Sequence, residues 1–306
     1  MRRTRGNGGS TTILMMLIAS VIITVGLGFN WLVREHIRAS EGLKNKAEAI
    51  VKARSAYDTL MYLILNGQIS RKEIIVVGGD GITELKALPL NGQTIPLAKD
   101  VQVRIQDSNG MLSPVSLSTT VLEKMVRKSA DTGGALSAGN SLLDWTDTDD
   151  LARINGAEAS FYRSQELPYV PRNFALQYKE ELGFVKGFDK GVYETVRPYF
   201  TLLPAPGFNP NTASDAVLTA YLDIGEESLK TLKEYLSQKA VISAAELFAL
   251  TGRRIPGSSE DDFSSSSFME ITVQAGAPKT IYRINAGLNM LQNRNSPYSV
   301  VSWSED

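Results

Sequence analysis

The chain of 306 residues has no cysteine and a single histidine, His36. Without thiols it can form no disulfide, no thiolate-bound metal site and no cysteine nucleophile. His36 lies between Arg34 and Arg38, just past an apolar segment, which is the setting of a solvated helix residue rather than a catalytic base. Triads built on histidine and histidine-bound zinc therefore lose their support. Charge of one sign is missing too: 32 Lys and Arg against 33 Asp and Glu leave a formal net charge of −1. That balance argues against a surface dedicated to nucleic acid or anionic membrane. What is present is an ordinary hydrophobic share, 43%, in a length that suits two modest domains or one domain with an insertion.

The chain is organised around Ile13 to Val33, ILMMLIASVIITVGLGFNWLV, a run with no charged residue. Its length matches the hydrocarbon core of a bilayer at about 1.5 Å of rise per residue. A secretory signal peptide has a shorter apolar region and ends in a small-x-small cleavage site; no Ala-x-Ala follows here. The reading is a retained membrane anchor that opens with Ile13 and Leu14 and closes with Val33. Arg2, Arg3 and Arg5 precede it and no acid appears before Glu35, so the positive-inside rule sets the N-terminus in the cytoplasm.

Residues 1–9, MRRTRGNGG, form a basic, glycine-containing leader. A leader of this kind before an apolar helix resembles the class III signals cut by prepilin peptidase. Gly8 and Gly9 are the candidate cleavage points, with Gly9 or Ser10 as the new first residue. Most subunits carrying such signals have a glutamate at mature position five, a costly group inside a membrane unless it is paired. Here that position is Ile13 or Leu14, or Thr11 for a cut after Gly6, so no register supplies the carboxylate.

From residue 34 to about 66 there is no proline, and Leu43, Ala47, Ile50, Tyr57, Leu60, Met61 and Ile64 recur at helical spacing. The spacing predicts an amphipathic helix continuing straight out of the membrane and ending at Asn66-Gly67. Short strands are expected at Ile74–Val77 and Ile82–Leu88 and around Val101, Val103 and Ile105, with Asn109-Gly110 as a hairpin turn and Met111-Leu112 starting the return. Gly78-Gly79-Asp80-Gly81 reads as a tight turn, since neither a helix nor a Gly-Lys-Ser/Thr follows it.

A helix over Thr119–Lys128 and a polar linker over Ser129–Asn140 lead to SLLDWTDTDDLARINGAEASFYRSQELPYVPRN. Its acids are Asp144, Asp147, Asp149, Asp150 and Glu158, with Asn155-Gly156 as a turn among them. Closely spaced acids on a loop are one way to supply the several oxygens a hard cation needs. The other reading is that Asp144 and Asp147 cap helices and the rest are solvated; the twelve-residue calcium loop ending in glutamate is absent. Nothing beside them marks a substrate pocket for acid–base catalysis.

Residues 174–254 read as helices at Phe174–Leu182, Lys190–Phe200, Ala213–Leu222, Glu227–Gln238 and Ser243–Thr251. GFVKGFD (183–189) and PNTASDAVLTAYLDIGEESL (210–229) resemble helix-hairpin-helix units, whose glycine-rich turns can offer backbone amides to phosphate. Asp189, Asp223, Glu226 and Glu227 stand at those turns and would repel phosphate, which favours a packing use. SSEDDFSSSS (258–267) reads as a flexible loop, and Phe268–Gln274 and Thr280–Leu288 as strands around the turn Ala275–Pro278. The expected fold class is α+β: a pilin-like long N-terminal helix packed on an antiparallel sheet, with a large, mostly helical inserted domain containing helix-hairpin-helix-like units. The expected segments are a leader at 1–9, the membrane part of the helix at 10–33, spine and first strands at 34–118, the insert at 119–257, and a loop with C-terminal strands at 258–306.

The leader with Gly9, the missing membrane glutamate, SLLDW-x-D-x-DD…NGAE (141–158), GFVKGFDKGVYETVRPYFTLLP (183–204) and FNPNTASDAVL (208–218) together resemble the K-type minor pseudopilins of bacterial type II secretion, the general secretion pathway protein K family. The two central motifs, in this order, carry the likeness; Ser-Thr-Thr at 10–12 departs from the apolar helix start common in the family. The resemblance implies a subunit at the tip of a periplasmic pseudopilus that initiates assembly with I-, J- and H-type minor pseudopilins and supports export across the outer membrane. It also implies processing by prepilin peptidase with N-methylation, a single pass through the inner membrane, and no enzymatic activity. Calcium is the implied cofactor, with Asp147, Asp149, Asp150 and Glu158 as its candidate ligands.

Two rival readings come from other classes. One is a membrane-anchored helix-hairpin-helix protein that binds nucleic acid, as in DNA uptake, although the charge balance disfavours nucleic acid as a partner. The other is an anchored periplasmic hydrolase built on the acid cluster.

Overall fold

The computed structural model describes residues 8–78, 81–114, 119–127, 132–255, 262–277, 280–291 and 296–306. Residues 1–7 of the leader, with its three arginines, lie outside the described residues, as do 79–80 of the glycine turn, 129–131 of the expected linker, 258–261 of the serine-rich stretch and Pro278.

Helix α1 (Gly8–Asn66) runs unbroken for 59 residues. Among the described residues it is the one helix long and apolar enough to cross a membrane. Ile13, Leu14 and Val33 are exposed along its apolar part, and every side chain from Thr11 to Glu48 is exposed. From Ala49 the helix packs. Ala49, Ala53, Ala56 and Leu60 recur at helical spacing on the buried face, and small side chains let the backbone lie close to a sheet.

The strands are β1 (Gln68–Ile69), β2 (Glu73–Ile75), β3 (Ala87–Pro89), β4 (Asn91–Ala98) and β5 (Val101–Asp107). After the helical region come β6 (Phe268–Ala277), β7 (Thr280–Asn289) and β8 (Ser299–Glu305). The first three make a small sheet in the order β1-β2-β3, and the others make an antiparallel sheet in the order β4-β5-β6-β7-β8. Alternate residues Met269, Ile271, Val273 and Ala275 of β6 are buried with Tyr282, Ile284, Ala286 and Leu288 of β7 in the core that includes α1. The period of two in these strands is the signal that made them legible.

Between β5 and β6 stand α2 (Thr119–Val126), α3 (Thr132–Thr146), α4 (Ala159–Ser164), α5 (Lys190–Val196), α6 (Asp215–Leu222), α7 (Glu226–Gln238) and α8 (Ala244–Thr251). They enclose a second core, running from Leu112 to Phe263 and including Trp145, Tyr162, Phe200 and Phe208. Each large side chain buried there contributes about 1.5–3 kcal/mol.

Several local expectations are corrected. Ser129–Asn140 is no linker, because α3 begins at Thr132; Ala138, Leu142 and Trp145 bury themselves in the second core and this tertiary packing overrides the polar composition. Asn109-Gly110 does not turn a hairpin. It lies in a buried 3-10 turn, Ser108–Gly110, and Leu112 bridges in parallel to Phe200 inside the helical body. The strand expected at Ile82–Leu88 is reduced to Ala87–Pro89, and β4, which went unforeseen, tolerates Pro96 because it is an edge strand. In place of a helix at Phe174–Leu182 there is a 3-10 segment at Lys179–Phe184. Its entry is fixed by Glu181, whose carboxylate accepts from the backbone of Gln177 and Tyr178.

Candidate functional site

Asp144 and Asp147 occupy the last turn of α3 and the position just past it, three residues apart and so on one side of the helix. Glu158 comes to meet them at the start of α4, in extended backbone and without forming a capping bond of its own. The intervening loop is folded back by Asp144. This carboxylate accepts from Arg153 N at 3.1 Å and from Ala157 N at 2.9 Å, and the Arg153 guanidinium donates to it at 2.7 Å. The same guanidinium nitrogen donates to Asp147. Gly156 is required by this fold-back, because a Cβ there would stand 1.9 Å from Asp144 Oδ2. Lys186 Nζ fastens the other side of the loop by donating to the carbonyls of Asn155 and Gly156, each at 3.1 Å.

The result is a cluster in which Asp144, Asp147 and Glu158 each offer a carboxylate oxygen, all within 4.8 Å of one another. Glu158 is only 2% exposed, and among the described residues neither of its oxygens has a hydrogen-bond partner; Asp147 Oδ1 is likewise buried and unpartnered there. Burial, and then the negative charges of Asp144, Asp147, Asp150 and Asp149, push the Glu158 carboxyl up to about 7. Trp145, the next residue after Asp144, is buried in edge-to-face contact with Tyr162 at 5.4 Å. Three convergent carboxylates, two of them (Asp147 and Glu158) with buried oxygens that lack a partner among the described residues, and with no nitrogen or sulfur donor in the cluster, suit a hard divalent cation such as calcium, so the residues fit the cofactor that the resemblance implies.

Of the four ligands expected from the sequence, Asp147 and Glu158 come together. Asp149 and Asp150 remain exposed on the loop: Asp149 accepts from Leu151 N at 2.8 Å, and Asp150 from Asn173 Nδ2 at 3.3 Å. Asp144 takes part in the cluster and neither it nor Asp147 caps a helix start, contrary to the capping alternative. Asp144 and Arg153 went unrecognised as partners; the i, i+3 spacing of Asp144 and Asp147 was the available signal. Gly8, Gly9 and Ser10 begin α1 as helical backbone.

The two hairpin-like turns are used for packing. Gly187, at φ +89°, lies so close to α3 that a Cβ would come within 2.8 Å of the Ala138 backbone, and Lys186 N donates to the Tyr162 hydroxyl at 3.0 Å. In the second, between α6 and α7, Leu222 and Ile224 are buried in the second core and Lys124 Nζ pairs with Asp223 at 3.1 Å.

A long apolar helix continuing into a spine on an antiparallel sheet, with a helical body built between two of its strands, is a pilin-like α+β fold. Residues 107–205 match the family model described as type II secretion system (T2SS), protein K, and the matched stretch includes the whole acid cluster. A protein of Escherichia coli strain K12 assigned to type II secretion as protein K is 33% identical over 87 residues, which are 28% of this chain and 27% of that relative. The match thus spans about a quarter of the relative's length. A chain in the crystal structure of the GspK-GspI-GspJ complex from the type 2 secretion system of enterotoxigenic Escherichia coli is similar in fold. Its TM-score is 0.52 at 18% identity, over 90% of this chain and 99% of that one.

Proposed function

We propose that this protein is a minor pseudopilin of the K type, seated at the tip of a type II secretion pseudopilus, where it initiates assembly with I- and J-type minor pseudopilins and supports export across the outer membrane. The observation that carries the reading is the match of residues 107–205 to the protein K family model, in a molecule that also has the spine and sheet. The uncharged run Ile13–Val33 supports a single pass through the inner membrane, with the N-terminus cytoplasmic and the bulk periplasmic. Cleavage beside Gly8 or Gly9 by prepilin peptidase, followed by N-methylation, belongs to the same reading, as does contact with an H-type subunit.

The tip position has a physical argument. A subunit stacked within a filament needs the pairing of its membrane carboxylate with a neighbour's terminal amine at each step; a chain with no such carboxylate loses least at an end. The helical body would also obstruct a further subunit above. Asp144, Asp147 and Glu158 would hold calcium, which would neutralise their mutual repulsion and fix the loop between α3 and α4. No residue is given a catalytic role.

The test is co-expression of the full chain with prepilin peptidase and I- and J-type partners in a membrane-containing host, followed by affinity purification and intact mass measurement. A mature chain lacking residues 1–8 or 1–9, recovered with both partners, is the expected result. An uncut chain recovered alone would sink the proposal.

A further inference from the structure

The acid cluster contains one positive group of its own. A single guanidinium nitrogen of Arg153 donates to both Asp144 and Asp147, so it lies between two of the three carboxylates that would ligate a cation. A calcium ion takes its oxygens at about 2.3–2.6 Å, and two such ligands can stand no further apart than about 5 Å; oxygens within 4.8 Å of one another meet that limit. An ion held by Asp144 and Asp147 and a guanidinium bridging the same pair claim the same space.

The backbone of the loop does not depend on that side chain. Arg153 N and Ala157 N hold Asp144, and Lys186 holds the carbonyls of Asn155 and Gly156. The guanidinium can therefore leave while the loop stays folded. The Arg153 side chain is already 39% exposed, so its way out to solvent is open. Its release would place a cation between Leu151 and Ile154, which are 77% and 83% exposed. Glu158, buried and without a hydrogen-bond partner among the described residues, makes no ion pair with Arg153 there and remains as a ligand that an added cation can satisfy.

We propose that Arg153 is a resident counter-ion that competes with a divalent cation for Asp144 and Asp147, so that it weakens and thereby sets the cation affinity of the cluster. This rests on the reading of Asp144, Asp147 and Glu158 as a cation site and adds a residue that opposes binding. Divalent binding exchanges one protein charge for two ionic ones. Filling the site turns Arg153 outward and changes the charge of the exposed loop surface.

The experiment is calcium titration by calorimetry on the full chain in detergent micelles, for the wild type, Arg153→Gln and Glu158→Gln, with circular dichroism to verify folding. Removing one close charge competitor is expected to tighten calcium binding about tenfold or more in Arg153→Gln, while Glu158→Gln abolishes it. Terbium in place of calcium, read by emission sensitised through Trp145, should show the same order. Equal or weaker binding by folded Arg153→Gln, with Glu158→Gln still inactive, overturns the competition and leaves the cation site standing. No binding by either wild type or Arg153→Gln at millimolar calcium overturns both.

Discussion

Asn209 Nδ2 stands 3.1 Å from Asp107 Oδ2, joining positions 102 residues apart. Asp107, at the end of β5, is 0% exposed, and its carboxylate also accepts from Thr212 Oγ1 at 2.9 Å, Asn109 N at 3.2 Å and Ser266 N at 2.8 Å. Those donors come from the segment leaving the sheet, from the middle of the helical region and from the segment returning to β6. One carboxylate thus fastens the helical body to the sheet at both of its crossings.

Burial pushes the Asp107 carboxyl up, against the hydrogen bonds from Ser266, Asn209, Thr212 and Asn109. Removing the charge does not relieve the site, because every neighbour is a donor. An amide would turn an N–H toward at least one of them and leave both unsatisfied. Asp107→Asn is therefore expected to cost about 2–4 kcal/mol, measured by urea unfolding of the full chain in micelles. Wild-type stability in Asp107→Asn would show that the carboxylate is not needed as a four-fold acceptor.

Glu158 gives a pH dependence of defined sign. Its folded carboxyl titrates at about 7 against an ordinary 4.5, so the native state holds the proton more tightly than the unfolded chain. The associated stability is fully present below about 4.5 and is lost as pH rises through about 7. In chelator, the protein is expected to lose stability across that window, by up to about 3 kcal/mol, and Glu158→Gln to flatten the slope. Calcium binds the ionised form and should restore stability above pH 7. An identical slope in Glu158→Gln would remove Glu158 as its source.

Much of this architecture could be read from the residues, and the parts that could not share a physical cause. The apolar run, the helix beyond it and the strands β6 and β7 carry strong periodicity, and each forms where its period says. The linker expected at Ser129–Asn140 failed because Ala138, Leu142 and Trp145 belong to a core assembled from distant segments. Asn109-Gly110 misled for a similar reason: its usual hairpin role is displaced by long-range partners, with Asn209 N donating to Asn109 O at 2.8 Å and Gly207 N donating to its side chain at 3.2 Å. In the acid stretch the residue types pointed to a cation, but which acids converge depends on the loop bending around Asp144. No local pattern shows that bend.

Arg172 and Glu181 form a two-pronged pair, with Nε donating at 2.7 Å and a terminal nitrogen at 2.9 Å. Burial raises the Glu181 carboxyl, but Arg172 and the amides of Gln177 and Tyr178 outweigh it and hold the group below its ordinary range. Its stabilisation is present above about 4.5 and is lost as pH falls. Arg172→Lys keeps the charge but not the planar fork, and is expected to cost about 1–2 kcal/mol near neutrality. The loss should shrink in acid, which a denaturation series at several pH values will show; a loss independent of pH would point to packing instead.

The spine and sheet meet through small residues, and that contact can be tested by volume alone. Ala53 is 0% exposed on the face of α1 that packs against the sheet, between Ala49 and Ala56. Leucine at this position adds three carbon atoms where the helix backbone lies close to β6 and β7. A well-packed contact answers such an insertion by shifting backbone at a cost of about 1–3 kcal/mol. Val51, on the same helix but 68% exposed, serves as the comparison, and truncation there is expected to stay within about 0.5 kcal/mol. Thermal unfolding of the full chain in micelles should therefore show a lowered Tm for Ala53→Leu and an unchanged one for Val51→Ala. If Ala53→Leu melts with the wild type, the helix does not lie against the sheet through its alanine face, and the spine must be held by its lower turns, around Leu60 and Ile64, alone.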